Sequence, residues 1–183
     1  MSKQAHLSRL FIIGPMGSGK STVGRHLAQI LGYVFIDADA EIETRAGADI
    51  PWIFDVEGEE GFRRRETAAL EDLARRSQAV IATGGGAILA PANRDLMARS
   101  GVVVFLNVSV AQQLKRTGSG EGRPLLQQGD REETLTNLMA EREPLYRELA
   151  DVMISGAEGN ARLVARHIQS QLIERGLLFS DSE

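Results

Sequence analysis

Leu10-Phe11-Ile12-Ile13-Gly14-Pro15-Met16-Gly17-Ser18-Gly19-Lys20-Ser21-Thr22 joins an apolar run to a loop matching G-x-x-x-x-G-K-[ST] at every defined position. Four large apolar residues ending at a glycine predict a buried parallel strand. Beyond the loop, Val23, Leu27, Ile30 and Leu31 recur at helical spacing, and Gly32 supplies a stop. A glycine loop set between a strand and a helix is the setting in which this pattern holds phosphate. The glycines let the backbone wrap closely, so that N–H groups of Gly17, Ser18, Gly19, Lys20, Ser21 and Thr22 can point at phosphate oxygens. Lys20 would reach the β- and γ-phosphates, and the Ser21 hydroxyl would ligate Mg2+ directly. The helix starting near Lys20 adds its N-terminal dipole to the same anion. The expected ligand is a nucleoside triphosphate.

Outward from this stretch, short apolar runs alternate with amphipathic segments. Val34-Phe35-Ile36, closed by Asp37, predicts a second strand, and Ala79 to Ala82 a third that runs into Gly84-Gly85-Gly86. Val102 to Leu106 is the fourth and most β-branched, and Val152-Met153-Ile154 a fifth. Helices are predicted over most of Asp39 to Ser77, from about Arg131 to Leu149, and from Ala161 to Arg175. Alternating strands and helices imply right-handed βαβ units and a parallel sheet covered on both faces. Ligands of such sheets bind at the carboxyl ends of the strands, where Gly14 to Gly19, Asp37 to Asp39 and Gly84 to Gly86 all fall.

The 183 residues suit one domain, and 43% hydrophobic with 25% charged residues is an ordinary globular balance. A formal net charge of -4 gives no general attraction to nucleic acid or to an acidic membrane. Anionic ligands must therefore be held by locally placed Arg and Lys. With no cysteine, thiolate metal sites, disulfides and a cysteine nucleophile are excluded. The first ten residues have no apolar signal region, so a cytoplasmic location is expected. His6, His26 and His167 lie on the tail or in helical contexts, away from the strand ends.

Neither strand three nor strand four ends in an aspartate, which leaves Asp37 and Asp39 to serve the metal. Residues two apart on an extended segment point to one side. Asp37 is expected to reach Mg2+ through water and Asp39 to face an acceptor hydroxyl. Either could also be the N-cap of a helix from Ala40, which does not exclude the role.

Gly-x-x-Gly-Ser-Gly-Lys-Ser, Asp37-Ala38-Asp39, Phe62-Arg63, Gly84-Gly85-Gly86, Arg123-Pro124-Leu125 and Pro144-Leu145-Tyr146-Arg147 come in the order and spacing of shikimate kinases. The resemblance covers about Leu10 to Ile173. It implies an α/β fold of the P-loop NTPase, nucleoside-monophosphate-kinase-like kind: three α/β/α layers around a five-stranded parallel sheet. The whole chain, 1–183, would be one kinase domain, with an acceptor-binding helical segment at about 39–77 and a lid at about 117–130. The resemblance further implies that Asp39 accepts a hydrogen bond from the reacting hydroxyl, and that Arg63 and Arg147 clamp the shikimate carboxylate. Glu66 would hold Arg63 in position, and Gly84, Gly85 and Gly86 would bring backbone N–H groups against the ring. Ile50, Phe54 and Phe62 would form its apolar wall. Arg123 would swing over the phosphates as the lid closes, and Arg116-Thr117 matches the adenine-stacking position. Gly156 to Asn160 departs from the family, having neither the Arg nor the Pro of its second adenine contact.

Direct in-line transfer of the γ-phosphoryl from Mg-ATP to shikimate is therefore expected, by a monomer acting on small molecules. A kinase of the same build for gluconate or a nucleoside monophosphate is the rival enzyme. An ATP-binding regulatory module is the rival outside enzymes. Two arginines placed for a carboxylate favour an acid over a nucleotide, and the presence of Lys20, Asp39, Arg63 and Arg147 favours an active enzyme.

Overall fold

The computed structural model describes residues 8–118, 126, 129–155 and 160–178. Its five strands are β1 (Arg9–Ile13), β2 (Val34–Asp37), β3 (Ala79–Ala82), β4 (Val102–Asn107) and β5 (Val152–Ser155). They form one sheet in the order β2-β3-β1-β4-β5 with every pairing parallel, as the alternation predicts. Each of the five apolar runs read from the sequence is a strand.

The period-two alternation of β1 divides the core between the two faces. Leu10 and Ile12 join Val80, Val104, Leu27 and Leu172 on the face covered by α1 (Lys20–Leu31) and α7 (Ala161–Glu174). Phe11 and Ile13 join Ile81, Phe105, Leu70, Met97 and Tyr146 on the other. That second face is covered by α3 (Ile50–Leu73), α4 (Pro91–Ser100) and α6 (Arg131–Leu149). Two further α-helices, α2 (Ala38–Ala46) and α5 (Val110–Thr117), and a short 3-10 helix over Ala87–Leu89 complete the described elements. A third, smaller core of Ile42, Ile53, Phe62 and Ala69 welds α2 to α3.

Three local features differ from the sequence expectation. Helix α2 starts at Ala38, not Ala40, because Asp37 caps it by accepting from the N–H groups of Asp39 and Ala40. Asp39 therefore sits in a helical first turn and not on an extended segment. The long helix α3 is broken at Gly58, whose φ of 70° and ψ of 178° are non-helical. Helix α4 carries too few apolar residues to announce itself, burying only Asn93 and Met97.

Candidate active site

Two groups of side chains meet at the carboxyl ends of β1, β2 and β3. The first belongs to the glycine loop. Gly14 has φ 146°, and a Cβ on it would stand 2.5 Å from the Leu106 carbonyl oxygen, so only glycine fits there. Gly19, at φ 89°, turns the chain into α1. Lys20 Nζ folds back into the loop, donating to the carbonyls of Gly14 at 2.9 Å and Pro15 at 2.8 Å. Ser18 is buried beneath it, and Thr22 is exposed on the first turn. Arg116, at the end of α5, donates to the Gly17 carbonyl at 3.2 Å, which sets its guanidinium on the outer rim of the loop. Ser21 Oγ donates to Asp37 Oδ2 at 2.5 Å. Asp37 therefore caps α2 with one oxygen and accepts from Ser21 with the other.

The second group surrounds Gly84. Asp39 Oδ1 is buried without a hydrogen-bond partner among the described residues, and so is Glu66 Oε1. A Cβ added to Gly84 would be 2.8 Å from each of these two oxygens. They therefore converge on one spot. Burial, with the charges of Glu66 and Asp37 next, pushes the Asp39 carboxyl up to about 6, while Lys20 opposes the shift. Burial also raises the Glu66 carboxyl above its ordinary range, against the pull of Arg63. The other oxygen of Glu66 accepts from Arg63 Nη1 at 2.9 Å, the positioning pair expected one turn apart. Arg63 also donates to Glu59 at 3.1 Å and lies over the Phe62 ring, 5.2 Å from its centroid.

The glycines at 84 and 86 owe their presence to the chain's own side chains. A Cβ on Gly86 would come within 2.5 Å of Arg63 Nη1, as one on Gly84 would strike the two acids. Gly85, between them, accepts from the buried Tyr146 hydroxyl at 2.5 Å. The ring-wall residues divide: Phe62 is buried in the α2–α3 core, while Phe54, 4.8 Å from it, and Ile50 are partly exposed.

Arg147 requires a correction. Its guanidinium donates to Glu143 at 2.6 and 2.8 Å and touches Met153 Sδ at 3.7 Å, on the exposed side of β5. It does not join the cluster. Arg142, which the sequence reading passed over, does. It is 5% exposed, its charge acts on both Glu66 and Tyr146, and it lines a small cavity together with Pro15 and Met16 of the glycine loop. Helical geometry explains the exchange. Residues 142 and 146 are four apart and share a face, whereas 147 is turned about 100° away from 146. The burial of Tyr146 fixes the inward face of α6, and Arg142 shares that face.

Arg123 lies outside the described residues, as does most of the predicted lid. From that stretch Leu126 is buried and Asp130 caps α6. Positions 156–159 also lie outside, and Asn160 caps α7 by accepting from Arg162 N–H at 3.0 Å. His26 and His167 sit on α1 and α7, away from both groups.

The shikimate kinase family model matches residues 16–173. The chain belongs to the shikimate kinase family. It is 58% identical over 165 residues to the shikimate kinase of Halorhodospira halophila, which covers 90% of this chain and 93% of that protein. The shikimate kinase of Vibrio campbellii is 50% identical over 171 residues, covering 93% of this chain and 99% of its own. Among solved structures, shikimate kinase from Acinetobacter baumannii in complex with shikimate superposes with a TM-score of 0.91 at 46% identity. That match covers 95% of this chain and 98% of the other. Family membership and the P-loop sheet agree with the fold read from the sequence.

Proposed function

We propose that this chain, a kinase of the shikimate kinase family, transfers the γ-phosphoryl of ATP to the 3-hydroxyl of shikimate, giving shikimate 3-phosphate and ADP. The observation that carries the site assignment is the meeting of Lys20 and Ser21 with Asp39, Arg63, Glu66 and Arg142 around Gly84 to Gly86. One side holds a polyphosphate; the other offers two guanidinium groups for a carboxylate and two buried acid oxygens for hydroxyl groups.

Phosphoryl transfer through a loose transition state depends on alignment and charge stabilisation more than on a strong base. The acceptor oxygen bonds to the γ-phosphorus as the bond to the β–γ bridging oxygen breaks. ADP leaves with that electron pair. Asp39 takes the acceptor's proton, and its carboxyl, held near 6 by burial, is ionised at neutral pH yet basic enough to accept it. Lys20 and Arg123 hold the charge that spreads over the phosphate oxygens. Backbone N–H groups of residues 17–22 cradle the chain of phosphates, and Arg116 lies against the adenine. Arg63 and Arg142 hold the acceptor's carboxylate, with Glu66 fixing Arg63 and Phe54 and Phe62 walling the ring.

The residues suit Mg2+. Ser21 Oγ and Asp37 Oδ2 are hard oxygen donors 2.5 Å apart, and Asp37, by accepting the Ser21 proton, leaves the hydroxyl lone pairs to a cation. Phosphate oxygens and water would complete the shell. Ser21 would bind directly and Asp37 through water, and Mg2+ would neutralise charge on the phosphates.

The chain works as a single kinase domain and a monomer in the cytoplasm, on small molecules and with neither nucleic acid nor membrane as partner. Its net charge of -4 gives no general attraction to nucleic acid or to an acidic membrane, and no helix among the described residues is long and apolar enough to cross a membrane. ADP release from Mg-ATP, with shikimate, gluconate, AMP or no acceptor in separate wells, tests the function. Stimulation by shikimate alone is expected. Stimulation by gluconate or AMP instead would overturn the acceptor assignment and keep the phosphotransferase.

A further inference from the structure

Helix α3 carries both Arg63 and Glu66, and its break at Gly58 leaves Ile50 to Glu57 as a short arm. The arm brings Ile53 into the core with Phe62 and sets the Phe54 ring 4.8 Å from that of Phe62. Across the break, Arg65 grips Glu57 with a two-pronged pair: Nε to Oε2 at 2.9 Å and Nη2 to Oε1 at 2.6 Å. The other ion pairs of this stretch, Arg63–Glu59, Arg64–Glu60 and Arg63–Glu66, span three or four residues, as a continuous helix allows. Glu57 and Arg65 are eight apart. In an unbroken helix eight residues rise about 12 Å, so this pair exists only at the bend. Gly61 makes room for it, since a Cβ there would strike the Glu57 Cβ and lie 3.1 Å from its Oε2.

We propose that Glu57 and Arg65 form a positioning clasp that fixes the bend at Gly58 and, through it, the stance of Phe54 beside Phe62 and Arg63 for holding the acceptor acid. The inference rests on the acceptor-site reading above. Arg65 touches none of the buried acids; it acts through the arm. The pair is built from a planar guanidinium fork on a carboxylate, the geometry that fixes direction and not merely distance.

The test is a double-mutant cycle of Glu57→Gln, Arg65→Gln and the two together, with steady-state kinetics, thermal midpoints and amide hydrogen exchange over residues 50–57. Each single change should raise KM for shikimate about two- to fivefold, the range of a half-exposed pair, with KM for ATP unchanged and kcat within about twofold. The double variant should be no worse than either single. Exchange in the arm should quicken in all three. Unchanged KM for shikimate in both singles, or additive effects in the double, would overturn the clasp, and so would a lower midpoint with unaltered KM. If the unsubstituted enzyme shows no stimulation by shikimate, the functional reading falls while exchange still decides the clasp: faster exchange in Arg65→Gln upholds it, and equal exchange removes it.

Discussion

Asp39 combines a buried carboxyl with the acid neighbours Glu66, Asp37 and Glu43 and the Lys20 ammonium, and the balance, led by burial, lifts its pKa from 3.8 to about 6. Two measurements follow from the sign. In kcat/KM for shikimate, the acid limb should inflect near pH 6 as Asp39 gains its proton; a profile flat down to pH 5 would remove Asp39 as proton acceptor. For stability, a carboxyl that binds its proton more tightly when folded favours the native state at low pH. That advantage is lost as pH rises from about 4 to 6, leaving a cost of about 2–3 kcal/mol above pH 6. Asp39→Asn should thus raise the unfolding midpoint at pH 7.5 and give little gain at pH 4. Arg142 and Arg147 of α6 divide as cleanly. Arg142→Ala should raise KM for shikimate about ten- to a hundredfold, the loss of a charge-assisted pair, and Arg147→Ala less than about twofold. The reverse ranking would return the clamp to Arg147. Gly86→Ala should push the Arg63 guanidinium aside and so raise KM for shikimate, while the midpoint of unfolding barely moves, because the displaced group is the end of a flexible side chain. Lys20, Ser21, Asp37 and Asp39 were legible in the sequence because each lies within a contiguous motif. Arg142 was not, because its claim depends on which face of α6 meets the sheet.

Among the elements, the central strands β1, β3 and β4 were the most legible, since each carries a run of apolar residues buried on both faces, as a covered parallel sheet requires. Helix α4 was hidden by its polar sequence, and the break in α3 by the run of charged residues around Gly58, where no apolar period exists to be interrupted. The meeting of α1 with the sheet yields a prediction at this scale. A Cβ at Gly24 would stand 2.6 Å from the Phe35 ring and 3.2 Å from Ile12 Cδ1. Gly24→Ala gains about 1 kcal/mol of helix propensity but overpacks a rigid seam at a cost of about 1–3 kcal/mol. The midpoint of urea unfolding should therefore fall with an unchanged m-value. A rise would mean that α1 can move off β2 at little cost.

At the scale of the whole molecule, the order β2-β3-β1-β4-β5 places the phosphate loop at the centre of the sheet, with the acceptor groups on the β2 side and Arg116 reaching in from beyond β4. Nucleotide and acceptor thus bridge elements that no single strand joins. Mg-ADP at a hundred times its Kd should stabilise the fold by about 2.7 kcal/mol, a rise in midpoint of about 5–10 °C. Chelating Mg2+ should shrink the shift, and Lys20→Ala should nearly abolish it; a full shift in that variant would place the nucleotide elsewhere. The seating of Arg63 against Gly86, and of Asp39 and Glu66 against Gly84, also bears on drug resistance. A competitor of the acceptor that rests on this glycine backbone cannot be shed by adding a side chain there, because the same side chain would dislodge Asp39, Glu66 or Arg63, the groups proposed to hold the acceptor. Escape by single substitution is steered to the rim of the site, where Phe54 and the exposed turn of α3 offer the remaining freedom.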